Sequence, residues 1–126
     1  MFRLTFLLTI LVTLGSGFKA NAQDLVPRDL LLSTLNGVAP LKFENDQVTQ
    51  LMEYNKGFVD EVYAVLESDR DEKRKKESLG ALSDKRDSDL KDFLSKHETK
   101  RYLKFMEGEL QPLVKKDKLL KQIAKY

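Results

Sequence analysis

Residues 44–66 read ENDQVTQLMEYNKGFVDEVYAVL, and the spacing of their apolar side chains decides the fold. Val48, Leu51, Met52, Phe58, Val59, Val62, Tyr63 and Leu66, with Asn55 on the same stripe, recur at i, i+3, i+4 and i+7. That period places them on one face of an α-helix and leaves the charged residues on the other. No alternation of period two interrupts the run, so a strand is not indicated. A helix of this length reaches about 35 Å. One long apolar stripe needs a partner, and the rest of the chain must supply it.

Downstream, Ser68-Asp69-Arg70-Asp71-Glu72 ends this helix and starts another. Asp69 with Glu72, or Ser68 with Asp71, has the spacing of a capping box. The second helix is expected over Asp71–Leu94. Its apolar contacts are sparse (Leu79, Leu82, Leu90, Phe93 and Leu94), and Arg86 stands where the stripe would continue. The charge run from Asp71 to Glu77 reads as a solvated face. Ser95-Lys96-His97-Glu98 is a second helix start. There Ser95 can accept from the Glu98 N–H while the Glu98 side chain reaches back to the Ser95 N–H. The third helix, expected over Lys96–Lys125, carries Tyr102, Leu103, Phe105, Met106, Leu110, Leu113, Val114, Leu119, Leu120 and Ile123. Pro112 lacks an N–H and predicts a kink or break near Gly108 to Pro112. Beyond it, Lys115, Lys116, Lys118, Lys121 and Lys125 suit the negative end of the helix dipole. The expected fold is all-α: three main amphipathic helices near Glu44–Glu67, Asp71–Leu94 and Lys96–Lys125, in an antiparallel hairpin or bundle that forms one domain over 44–126.

Upstream, residues 23–43 read as a flexible N-terminal arm, in which Leu30-Leu31-Leu32 and Leu35 form a helical turn or two closed by Asn36-Gly37. Residues 1–22 have the layout of a secretory signal peptide. Met1 to Arg3 is a basic start, Leu4 to Leu14 is apolar except for threonines, and Ala20-Asn21-Ala22 is a small-residue cleavage site before Gln23. The apolar run is well short of the about 20 residues that span a bilayer, so no stable membrane anchor is expected. No cysteine follows the run to carry a lipid. The expected location is periplasmic or secreted.

The chain has 22 basic and 20 acidic residues. Cleavage would remove Arg3 and Lys19 and leave a mature chain with no net formal charge. The charge is unevenly placed: 11 basic and 16 acidic residues fall in 23–95, and 9 basic and 4 acidic in 96–126. A dipolar chain of this kind can pair with itself, between helices or between subunits, so a homodimer is possible. It lacks the dominant basic field of a nucleic-acid binder. With no cysteine in the chain, stability rests on helix packing, association or both.

The order of parts (signal peptide, amphipathic helix, charged turn, charge-rich helix, then a leucine and a capped helix) resembles the Spy/CpxP family of periplasmic proteins. That family carries a repeated Leu-Thr-x-x-Gln motif, and Leu94-Ser95-Lys96-His97-Glu98 is similar to it, with Ser for Thr and Glu for Gln. Thr-x-x-Gln and Ser-x-x-Glu are both capping boxes, which explains why the exchange is tolerable. Lys100-Arg101-Tyr102-Leu103-Lys104-Phe105-Met106 also resembles the segment downstream of the motif in family members. The first copy is degraded, since Leu41-Lys42-Phe43-Glu44-Asn45 keeps only its leucine and Gln47 is displaced. The resemblance implies an ATP-independent chaperone or envelope-stress protein, helical and cradle-shaped, that holds unfolded clients.

Enzymatic patterns are thin. His97 is the only histidine and has no cysteine or second histidine to join it, so no catalytic or metal centre and no cofactor is expected. Carboxylate pairs such as Asp60 with Glu61 or Asp87 with Asp89 read as solvated charge. The chain has no Gly-rich phosphate loop and no nucleophile elbow. The leading expectation is a holdase that binds unfolded or partly folded proteins through Lys100, Arg101, Leu103, Lys104, Phe105 and Met106, with Ser95 and Glu98 as the helix cap. Two alternatives stand beside it. One is a helical binding or scaffold module for one folded envelope partner, without chaperone activity. The other is a bundle that acts at a membrane surface through its Lys-rich C-terminal helix.

Overall fold

The computed structural model describes residues 25–125; the expected signal peptide lies outside them. Six α-helices and two 3₁₀ turns make up the described chain: α1 (Arg28–Asn36), a turn at Ala39–Leu41, α2 (Asn45–Leu66), α3 (Glu72–Leu90), α4 (Lys96–Glu109), α5 (Gln111–Lys116), a turn at Lys118–Leu120, and α6 (Lys121–Ala124). The described residues include no strand.

α2 is the axis of the molecule. Leu51, Asn55, Phe58, Val59, Val62, Tyr63 and Leu66 are buried along its stripe, whereas Met52 turns outward and is 46% exposed. The stripe divides its cover between α1 and α3. This corrects the expected flexible arm: Val26, Leu31, Leu35, Val38 and Leu41 all belong to the core. Polar side chains fix α1 in place as well. Asn55 Nδ2 donates to Leu35 O at 3.2 Å and to Asn36 Oδ1 at 2.9 Å, and the Tyr102 hydroxyl donates to the same Leu35 carbonyl at 3.0 Å. The Tyr63 hydroxyl donates to Val26 O. The free carbonyls at the end of α1 therefore find donors from two other helices.

The starts of α2, α3 and α4 are each capped. At α2 the Glu44 N–H donates to Gln47 Oε1 at 3.0 Å. At α3 the cap is Asp71, whose Oδ1 accepts from the Arg74 N–H at 2.8 Å, in place of either expected capping box. Lys75 Nζ reaches back to Leu66 O at 2.8 Å and satisfies the end of α2. α3 stops at Leu90 rather than Leu94, and a turn over residues 91–94 leads to Ser95.

The single third helix gives way to a series of shorter elements. α4 ends at Glu109, Leu110 is buried at the break, and Pro112 occupies the first turn of α5, where its missing N–H costs nothing. A second break follows at Asp117, whose backbone is extended (φ −139°, ψ 104°). Asp117 Oδ1 accepts from the Leu119 N–H at 3.0 Å and starts the 3₁₀ turn. The two breaks let Leu113, Leu120, Ile123 and Ala124 turn inward, and α6 packs against α3 and α4.

Candidate functional site

α4 divides the residues expected to bind clients between two faces. Lys100 and Lys104 are exposed, but Leu103 and Met106 are core residues at 8% and 1% exposure. Phe105 is half-buried against the core. Arg101 is exposed yet anchored: its Nη2 donates to Leu41 O at 3.0 Å, and its guanidinium lies 5.8 Å from the centre of the Phe43 ring. These six residues form no continuous apolar patch framed by basic ones. The apolar surplus of the third helix is absorbed within the chain, by α1 and by the segments beyond α4.

Ser95 and Glu98 form a reciprocal cap. Ser95 Oγ accepts from the Glu98 N–H at 3.0 Å, and Glu98 Oε1 accepts from the Ser95 N–H at 2.8 Å. The same Glu98 oxygen accepts from Gln47 Nε2 at 3.0 Å, and that amide also donates to Phe93 O at 3.3 Å. The starts of α2 and α4 are thus joined through their capping residues. The Ser95 N–H is the main cause holding the Glu98 carboxyl below its ordinary range, with Gln47 and Arg101 adding to it. The start of α2 has a related arrangement: Phe43 and the Glu44/Gln47 pair stand as Leu94 and the Ser95/Glu98 pair do.

The described residue with the least expected position is Arg86. The gap it makes in the α3 stripe is not a gap in the core, for Arg86 is itself 1% exposed. Its Nη2 donates to Ile123 O at 2.6 Å, and its guanidinium sits 4.7 Å from the centre of the Phe58 ring. Ile123 lies in the last turn of α6, where its carbonyl has no following helical N–H to accept from and carries part of the negative end of the helix dipole. A cation is well placed there. Nε and Nη1 of Arg86 have no hydrogen-bond partner among the described residues, and burial pushes its pKa down. The residue thus spends its solvation on fixing α6 against α3.

Holding α6 there creates a concave surface. Glu107 of α4, Gln111, Val114 and Lys115 of α5, Lys118 of the turn, and Lys121, Ala124 and Lys125 around α6 line a groove of about 480 Å³. Its walls are partly apolar, from Val114 and Ala124, and its rim holds four exposed lysines. Glu107 is the one carboxylate among the lining residues, and these lysines form no ion pair with a described residue. The basic run was visible in sequence, but its concavity was not, because that depends on the break at Asp117 and on the Arg86 bond. Among the described residues no group of three His, Asp or Glu side chains could hold a metal ion, and no helix is long and apolar enough to cross a membrane.

Compared with protein-family models, curated proteins and solved structures, the chain matches none.

Proposed function

We propose that the chain is an exported, non-enzymatic helical binding module that takes an acidic surface of one partner protein into the groove rimmed by Lys115, Lys118, Lys121 and Lys125. The observation that carries this reading is the groove itself: four ammonium groups with no ion-pair partner among the described residues, around walls supplied by Val114 and Ala124. Charge of one sign focused in a concavity raises the local concentration of the opposite charge and steers its approach. In the frame we propose, α2, α3 and α4 run up and down in antiparallel fashion. The interruption beside Pro112 turns the lysine-bearing segment back onto α3.

The holdase reading ranks below this one. Capture of non-native chains uses exposed apolar area, and among the described large apolar side chains only Leu30 and Met52 are exposed. Two measurements separate the readings. A glutamate-rich peptide titrated into a chain of residues 23–126 should bind, and Lys118→Glu with Lys121→Glu should abolish binding without loss of helical circular dichroism. Aggregation of a denatured client should proceed unchanged in the presence of the chain. Strong suppression of aggregation, with no peptide binding, would restore the holdase reading.

A further inference from the structure

The groove has a counterpart on the same chain. Asp46, Glu53 and Asp60 of α2 and Glu67 at its C-cap recur every seven residues, so they share one outward face at steps of about 10 Å. All four are exposed. Asp60 and Glu67 keep 72% and 53% of their side chains exposed although Arg28 reaches both. Gly57 stands between Glu53 and Asp60 on this face, and a Cβ added there would meet nothing within 4 Å. Packing among the described residues therefore gives no reason for a residue that weakens a helix interior. A bare backbone at that point does allow another surface to come close. Met52, the most exposed large apolar side chain described, borders the same face.

On the groove side, Lys118 and Lys125 are also seven residues apart, with Lys121 between them. The two surfaces are opposite in sign, and each has an apolar element beside its charges. We propose that the groove of one copy receives the acidic face of α2 from a second copy, so that the chain is its own partner. The inference rests on the groove being a binding surface and names what binds there. Residues 23–126 carry no net formal charge, with the excess acid in 23–95 and the excess base in 96–126, so copies do not repel one another and can align head to tail. The two faces differ, so each contact leaves an open groove on one copy and an open acidic face on the other. A groove of this size buries less than a standard stable interface, so association should be weak and salt-sensitive.

Sedimentation velocity on residues 23–126, which hold every described helix, tests the proposal. In low salt the sedimentation coefficient should rise with protein concentration, and about 0.5 M salt should return it to the monomer value, since screening then acts within a few ångströms. Lys118→Glu with Lys121→Glu should be monomeric, as should Asp46→Lys with Glu53→Lys, two acids outside the described ion pairs. An equimolar mixture of the two charge-reversed chains should associate again, because each then offers a surface the other fits. Gly57→Gln should block association with an unchanged helical spectrum. A wild-type chain that stays monomeric in low salt yet binds a glutamate-rich peptide overturns self-association and leaves the groove reading intact. A monomer that binds neither overturns both. Association that survives in each reversed variant alone, or binding confined to anionic lipid vesicles, also overturns the proposal.

Discussion

At the scale of single residues, two side chains do more than their sequence context suggests. Ser95 closes the cap of α4 and holds Glu98, which in turn holds Gln47 at the start of α2. Ser95→Ala leaves the Glu98 N–H without its acceptor and should cost about 0.5–2 kcal/mol, read as a lower midpoint of thermal or urea unfolding. Arg86 behaves differently. Its guanidinium makes one hydrogen bond and leaves two nitrogens unpaired in the core, so its desolvation is poorly compensated. Arg86→Met keeps most of the volume and removes that penalty. The unfolding midpoint should hold or rise, while amide exchange over residues 118–125 quickens because α6 has lost its tie to α3. A large fall in midpoint with unchanged exchange there would show that Arg86 serves the core rather than the groove.

At the scale of elements, burial sorts the aromatic residues. Phe58 is 2% exposed, stacked against Tyr54 at 6.3 Å and covered by Arg86. Phe58→Ala should cost about 3–5 kcal/mol. Phe105 is half-buried, and its loss should cost about 1–2 kcal/mol, in proportion to the smaller apolar area it covers. Equal costs in chemical denaturation would refute this ordering. The same contrast shows what was legible in the sequence. α2 was plain because nine stripe positions repeat over six turns, and its bounds lie within a residue of those expected. α1 was not, since a nine-residue helix with two buried leucines is decided by Asn55, Tyr63 and Tyr102, which lie far along the chain. Pro112 announces an interruption by its chemistry. Asp117 does not: an aspartate is ordinary in a helix, and here its extended backbone arises from the turn it caps. Since the groove depends on that second break, its lysines could be read as basic but not as a site.

At the scale of the molecule, ionisation sets the limits of stability at both ends of the pH range. Lys85 and the Tyr54 hydroxyl hold the Asp89 carboxyl below its ordinary range, as the Ser95 N–H holds Glu98. A depressed carboxyl stabilises the fold above its unfolded pKa, about 4, and that contribution is lost as pH falls through the lower folded value. Burial raises Tyr54, Tyr102 and Tyr63. Their contribution is present below the unfolded value of about 10 and is lost as pH climbs through the folded ones. Urea midpoints should therefore decline below about pH 4 and above about pH 10. Glu98→Gln should change little at neutral pH, because the amide oxygen can still accept from Ser95 and Gln47, and it should make the acid decline shallower. An acid decline identical to wild type would rule out Glu98 as a contributor.

The bond between Arg86 and Ile123 also bears on when the protein becomes competent. A chain is made from its N-terminus, and a domain folds as a unit. Residues 25–109 can begin to gather around α2, but the later pieces, of six, three and four residues, are too short to hold helical shape unaided. They acquire it only by docking on a framework that already exists. A product interrupted before residue 120 would carry Arg86 with no carbonyl to meet it, a bare side of α3 and an incomplete groove. Such a fragment would keep an unsatisfied interior, and the basic surface would be presented only by chains that extend past that point.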